Sequence, residues 1–506
     1  MPPLGAAESP WAGLLHWAER QPEKTAWRFA DTCVSYGQLA SWAIRGSRLL
    51  RSLGLSTGDG IAVLSPNHPH SLAVYWAAQF AGLYYTAISV QFQRGEVQHI
   101  LEDCDAKALI LAGSQADKAT GAPQQLRIDI DRWLEMIHQQ PETLIADAAE
   151  GAEMLYSSGT TGKPKGVRAA QPGAPLNTVS ELFKRRVALH RIGRDTVYLS
   201  TAPLYHSAPL RYNSMVIRCG GTSVVMPRFD AATSLELIER HAITHSQWVP
   251  TMFVRLLRLP EDVRHGHDLS SHRLAVHAAA PCPPEIKRQM LAWWGPILHE
   301  YYSGTEGNGQ TAIGPEEWLE HPGSVGRPVL GEIHIVAADG RELPAGSQGQ
   351  VYFSGGPRFE YYKDPLKTAA AYDHRGWSTL GDIGYVDDGG YLYLTDRASH
   401  MIITGGVNIY PREVEDVLVG HPAVQDAAVF GIPNEEFGEE VKAAVELVRD
   451  ASGTAAAVTE QLLIDYCRER LAHLKCPSSI DFHDALPRHQ TGKLYKEPLK
   501  RPYWSN

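Results

Sequence analysis

Through the first 150 residues, short apolar runs alternate with longer stretches in which apolar residues recur at helical spacing. IAVLSP (61–66), LYYTAISV (83–90) and ALILA (108–112) are each followed by a polar turn and a helix-like segment, the βα rhythm of sheets covered by helices. The rhythm continues through DTVYLSTAP (195–203), TSVVMP (222–227), HSQWVP (245–250) and LAVHAAA (274–280). After Gly331 the grain changes. IHIVAADGRELPAGSQGQVYFSG and GYVDDGGYLYLTDR set Asp-Gly and Gly-Gly turns between short alternating runs, which predicts β-hairpins. From Arg412 a compact pattern returns, with a helix at 412–420, strands at 424–431 and 440–448, a helix at 458–473 and a basic, Gly-containing tail. The expectation is an α/β chain, α+β overall. A large N-terminal domain of βα-layered sheets with a β-rich subdomain is expected over 1–396, and a small α+β domain over 397–506. The stretches 112–125 and 451–457 read as surface loops.

One segment invites a different reading. Residues 70–93 carry no charge, and SLAVYWAAQFAGLYYTAISV is long enough to suggest a membrane span. His70, Gln79, Gly82, Thr86 and Ser89 interrupt it, and Gly82 is placed to end a helix. A buried helix followed by a strand at 84–90 is therefore expected, with no integral membrane segment.

Composition narrows the class. The 506 residues carry a formal net charge of −10, with 43% hydrophobic and 21% charged residues, which suits large cores and gives no basic surface for nucleic acid. The six cysteines (Cys33, Cys104, Cys219, Cys282, Cys467, Cys476) form no CxxC or CxxxC pair, so reduced thiols in a cytoplasmic setting are expected. No signal peptide or lipidation address is read at either end.

The densest chemistry lies at Tyr156-Ser-Ser-Gly-Thr-Thr-Gly-Lys-Pro-Lys-Gly-Val167, where two hydroxyl pairs, three glycines and two lysines follow an apolar run. Such a loop can surround a polyphosphate with backbone N–H groups, hydroxyls and ammonium groups. It is not a Walker A loop, because Lys163 is followed by Pro164, which lacks an N–H and would interrupt the helix start that motif requires.

This string resembles the phosphate loop of the adenylate-forming superfamily, which includes acyl-CoA synthetases, luciferases and peptide-synthetase adenylation domains. Further motifs of that superfamily recur in order: Pro203-Leu-Tyr-His-Ser207, Glu300-Tyr-Tyr-Ser-Gly-Thr-Glu306, Trp377-Ser-Thr-Leu-Gly-Asp382, Asp396-Arg397, Gly405-Gly-Val-Asn-Ile-Tyr-Pro411 and Pro487-Arg-His-Gln-Thr-Gly-Lys493. The resemblance runs from about Tyr36 to Lys493. It implies that a carboxylic acid is adenylated by ATP and passed to the thiol of CoA, with Mg²⁺ as cofactor. By resemblance, Ser157, Ser158, Gly159, Thr160, Thr161, Gly162, Lys163 and Lys165 would cradle the phosphates. Glu300, Tyr301, Tyr302, Ser303, Gly304 and Thr305 would form the adenine motif, with Tyr302 against the base and Thr305 on the α-phosphate. Thr160 and Glu306 would hold Mg²⁺. Asp382 would bind the ribose hydroxyls beside Arg397, and Lys493 would bridge the carboxylate and the α-phosphate. Tyr205, His206, Trp248, Ala279 and Ala280 would line the acyl pocket, and Gly405 and Gly406 a pantetheine tunnel.

A His at position 206, where amino-acid-activating relatives place an Asp, argues against an amino-acid substrate. An apolar acid is expected, whether fatty, aromatic or bulky alicyclic and steroid-like; a homodimer is compatible with the pattern. The cluster Lys184, Arg185, Arg186, Arg191 and Arg194 reads as a solvated helix face rather than a seat for CoA phosphates. Departures from the common form are Val407 for Glu, Leu380 for Thr, Ser399 for the hinge Lys, and Y-S-G-T-E for Y-G-x-T-E. An acyl-AMP ligase loading a carrier protein and a non-catalytic nucleotide or acyl-CoA sensor are the competing readings.

Overall fold

The computed structural model describes residues 10–504 apart from 122–124, 158–163, 169–171, 398–400, 405–406, 435–436, 450–452 and 489–493. Among the described residues the strands form four sheets. In the first, seven strands lie in the order Glu360–Tyr361, Lys165–Arg168, Ala152–Ser157, Tyr84–Ile88, Gly60–Leu64, Ala106–Leu111, Leu126–Asp129; from Ala152–Ser157 onward the pairs are parallel. In the second, the parallel neighbours Thr222–Val225, Val197–Ser200, His245–Trp248, Leu274–His277 and Leu298–Tyr302 form the middle of nine strands. Parallel sheets of this kind place ligand sites beyond the C-terminal ends of their strands, here near Ser157 and Tyr302.

The uncharged segment behaves as expected. Ser71–Phe80 is a helix in which every residue is buried, followed by the strand Tyr84–Ile88. Gly82 ends the helix at φ 61°, with Leu83 N–H donating to the Ala78 carbonyl and Gly82 N–H to that of Gln79, the glycine cap that leaves no carbonyl stranded. No helix among the described residues is long and apolar enough to cross a membrane. Helix Tyr36–Ser52, opened by a reciprocal Ser35–Gln38 capping box, packs against it.

The hairpins after Gly331 are present as the antiparallel sheet Glu332–Val336, Gly349–Ser354, Ser378–Val386, Leu392–Arg397. The chain changes sheets after Arg397, since the next described strand, Ile402–Thr404, belongs to the fourth sheet with Val407–Ile409, Gly438–Leu447, Val424–Asn434 and Ser479–His483.

Three sequence expectations change. The helix at 458–473 is shorter, Glu460–Arg468 followed by a 3₁₀ turn His473–Lys475. The basic tail contains a strand, Ser479–His483, and a helix, Glu497–Trp504, both too short for their periodicity to stand out. Part of the 112–125 stretch is a 3₁₀ turn, Gly113–Ala119, that buries Ala119.

Candidate active site

A cavity of about 490 Å³ lies where the second and third sheets meet the C-terminal unit. Its walls include Pro250, Thr251, Ala279, Ala280, Tyr302, Gly304, Asp382, Arg412, Arg488, Leu494 and Lys496. Strand Leu298–Tyr302 delivers the adenine motif to its floor and strand Ser378–Val386 delivers Asp382. The Tyr302 hydroxyl donates to Asp382 Oδ2 at 2.6 Å, and Asp382 is only 7% exposed. Asp382 also lies opposite Arg397 in strand register, so two motifs distant from the Tyr302 motif in sequence meet it in one place. Leu494 and Lys496 bring the segment that follows Lys493 to the same cavity.

Gly304 shows why the motif is built as it is. A Cβ there would stand 2.3 Å from Leu380 Cδ1 and 2.7 Å from Glu306 Oε2. Leu380, one departure from the common pattern, thus packs into the space that Gly304 leaves, and Ser303, part of another, closes the turn by donating to the Gly309 carbonyl at 2.8 Å. Glu306 is buried, with Oε1 accepting from the Tyr361 hydroxyl at 3.0 Å. The Tyr361 ring lies 5.4 Å from Lys165 Nζ. Burial first, and then the hydrogen-bonded ammonium of Lys367, hold the Lys165 pKa down at about 8, a basic group close to a buried carboxylate at the exit of the phosphate loop.

Strands Ala152–Ser157 and Lys165–Arg168 pair antiparallel, with Ser157 opposite Lys165, and so frame the loop between them. Ser158, Gly159, Thr160, Thr161, Gly162 and Lys163 lie outside the described residues, as do Gly405, Gly406, Lys493 and Ser399.

Other expected site residues are spent on packing. Glu300 and Tyr301 border the cavity, but the Glu300 carboxylate takes a 2.6 Å bond from the fully buried Lys287, with His277 3.5 Å away. Burial, with Lys287 beside it, keeps His277 well below its ordinary pKa and therefore neutral. Tyr301 turns to the opposite face, stacking on Tyr212 with Arg186 over its ring. Trp248 does not line the cavity. It is 1% exposed, donates to Ser246 Oγ at 2.5 Å and packs among Phe229, Phe253 and Trp294. Tyr205 is buried with its ring 4.6 Å from that of His206, which occupies the N-cap position of helix Ser207–Arg218 without a side-chain capping bond. The basic cluster is no single face either. Arg186 is buried and donates to Gln310 Oε1 at 2.8 Å, and Arg185 donates to the Val329 carbonyl. Tyr361, Lys367, Arg211 and Glu153 carried no sequence signal, because each stands outside a motif and is placed by tertiary contact.

Two family models match the chain: "AMP-binding enzyme" over residues 14–362 and "AMP-binding enzyme C-terminal domain" over 413–493. The chain belongs to the acyl-CoA synthetase family of adenylate-forming enzymes. Members similar to it include a feruloyl-CoA synthase of an Amycolatopsis species, 31% identical, with 97% of this chain and 99% of the relative covered. A methyl-dioxo-octahydroindenyl-propanoyl:CoA ligase of Mycobacterium tuberculosis is 33% identical, with coverages of 97% and 98%. Among solved members of the family, the o-succinylbenzoate CoA synthetase of Bacillus subtilis, in complex with its acyl-adenylate intermediate, superposes with a TM-score of 0.82 at 28% identity, covering 97% of this chain and 98% of its own.

Proposed function

We propose that the chain is an AMP-forming acid–CoA ligase acting in two half-reactions. The carboxylate of an organic acid attacks the α-phosphorus of ATP, releasing pyrophosphate and leaving an acyl-adenylate. The CoA thiolate then attacks the acyl carbonyl, and AMP departs. The observation that carries this reading is the convergence on one cavity of Tyr302, Asp382 and the segment that follows Lys493.

Roles follow from chemistry. Tyr302 lies against adenine and also orients Asp382, whose carboxylate accepts from the ribose hydroxyls, with Arg397 beside it. Lys493 bridges the attacking carboxylate and the α-phosphate, offsetting the repulsion of two anions as charge builds. His206 and Tyr205 border the acid, Ala279 and Ala280 keep its pocket open by their small size, and Gly405 and Gly406 allow close passage of the pantetheine arm. Residues 397–506 act as the lid that swings between the two steps. The buried Glu306 carboxylate, facing the loop exit, suits a hard cation that keeps most of its water. Glu306 and Thr160 would hold Mg²⁺, which neutralises phosphate charge when bound. The similar feruloyl-CoA synthase and methyl-dioxo-octahydroindenyl-propanoyl:CoA ligase support an aromatic or alicyclic acid.

Incubating the protein with ATP, Mg²⁺, CoA and a panel of short, medium, long, aromatic and steroid acids tests the reading. Pyrophosphate release together with acyl-CoA detected by mass is expected. Adenylate formed without transfer to CoA would favour carrier loading, and no AMP from any acid would favour a sensor. Lys493→Ala is expected to abolish pyrophosphate release while CoA transfer from supplied acyl-adenylate persists. Unchanged release in that variant would remove Lys493 from its role.

A further inference from the structure

Arg211, on helix Ser207–Arg218, joins three segments that the motif reading treats separately. Its Nε donates to Glu153 Oε2 at 2.6 Å, and Glu153 sits on strand Ala152–Ser157, which leads into the phosphate loop. Its Nη1 donates to the Thr305 carbonyl at 3.3 Å, in the adenine-motif loop just before Glu306. One turn earlier on the same helix, Ser207 Oγ lies 3.4 Å from Thr305 Oγ1. His206 stands immediately before the helix, at its N-cap position. Tyr75, from the wholly buried helix Ser71–Phe80, fixes the second oxygen of Glu153 by donating to Oε1 at 3.2 Å.

A planar guanidinium can bind two acceptors in fixed directions; a lysine ammonium on the same site can neutralise one carboxylate but does not reproduce the fork. Burial disfavours the charge on Arg211, and Glu153 more than compensates, leaving its pKa above the ordinary arginine value. The arginine therefore stays charged at every working pH, and its geometry is not optional.

We infer that Arg211 is a positioning residue for adenylation: it ties the acid-site helix, the phosphate-loop strand and the Thr305–Glu306 loop into one rigid frame, so that the α-phosphate and the incoming carboxylate meet in line. The inference rests on the ligase reading above for its kinetic consequence and on geometry alone for its structural one. The frame matters most where the reacting atoms must align, so its loss falls on kcat rather than on nucleotide affinity.

Three variants test this: Arg211→Lys, Arg211→Gln, and the double Arg211→Gln/Glu153→Gln. In Arg211→Lys the ion pair is retained and the second arm is lost. Its melting temperature is expected to stay at the wild-type value while kcat for acid-dependent pyrophosphate release falls at least tenfold, with ATP Kd within about twofold. Arg211→Gln leaves the half-buried Glu153 without its cation and is expected to lower both melting temperature and kcat. The double variant is expected to regain the melting temperature but not the rate. Amide hydrogen exchange across residues 303–309, expected to quicken in Arg211→Lys, reads the tie without any activity. A wild type that releases no pyrophosphate with any acid would sink the ligase reading, and the exchange result would still decide the tie. Wild-type kcat and exchange in Arg211→Lys, or a double variant that recovers rate and stability together, would overturn the inference.

Discussion

Lys165 is half-buried, with Lys367 as a like-charged neighbour and the Glu306 carboxylate nearby. With its pKa held at about 8, it is an ammonium below that value and loses its charge as pH rises through it. ATP brings negative charge that favours the protonated form. Between about pH 8 and the ordinary lysine range, binding must therefore take up a proton, and affinity must fall as pH rises. ATP Kd measured calorimetrically is expected to rise roughly fivefold from pH 8 to 9, with proton uptake seen as a buffer-dependent heat, and Lys165→Arg is expected to flatten the profile. A second residue-scale prediction concerns Tyr302. Removing its hydroxyl as Tyr302→Phe deprives the buried Asp382 of its 2.6 Å donor while keeping the ring. AMP affinity by titration is expected to weaken about tenfold, in line with a hydrogen bond to a charged acceptor. The family motifs were legible from their order along the chain. Which of their residues face the cavity was not. Glu300, Tyr301 and Tyr302 are consecutive in one strand, yet Glu300 ends in a buried ion pair with Lys287 and Tyr301 in an aromatic stack on the other face. Alternation separates Tyr301 from its neighbours, and only the position of Lys287, thirteen residues earlier, determines what Glu300 does.

At the scale of elements, the uncharged stretch shows what a pattern can and cannot carry. Absence of charge and the placement of Gly82 were enough to locate the helix and the strand after it, because burial on all sides demands apolar residues and the reversal demands a positive φ. The partner helix, Tyr36–Ser52, was not legible in the same way, since its contact depends on a glycine in mid-helix. At Gly46 a Cβ would stand 2.6 Å from Ala77 Cβ and 3.0 Å from Trp133 Cζ2. Glycine costs helix propensity there, and close approach of the two backbones is what it gains. Gly46→Val is therefore expected to destabilise the protein by about 1–3 kcal/mol in urea denaturation through overpacking. The kcat/KM per folded molecule should stay unchanged at low temperature, because the crossing lies away from the cavity residues. A variant as stable as wild type would show that the two helices can part without penalty.

Taken as a whole, the molecule forms its cavity where the large body meets the C-terminal unit. The cores of the large body and of the C-terminal unit are separate clusters. Lys496 pairs with Glu415 at 2.7 Å and Arg488 with Asp426 within the C-terminal unit, so its charges are largely matched before it docks. Arg258 crosses the junction. It follows helix Pro250–Leu257 and donates to the Val424 and Gln425 carbonyls at 2.6 and 3.3 Å, while burial, only partly offset by Glu446, holds its pKa below the ordinary arginine value. Those carbonyls begin strand Val424–Asn434, so the bond grips the lid at the edge that borders the cavity, where Gln425 and Asp426 are among the lining residues. Because the contact joins two bodies rather than supporting one, its loss should shift their arrangement and leave each fold intact. Arg258→Ala is expected to melt like the wild type and to slow acid-dependent pyrophosphate release roughly fivefold, the effect of one modestly screened hydrogen-bonded charge. CoA transfer from supplied acyl-adenylate, which the proposed swing of residues 397–506 assigns to a different arrangement, should proceed at least as fast as before. Equal slowing of both half-reactions would show that Arg258 supports the large body itself, and no slowing of either would show that the lid is held here by the remaining contacts.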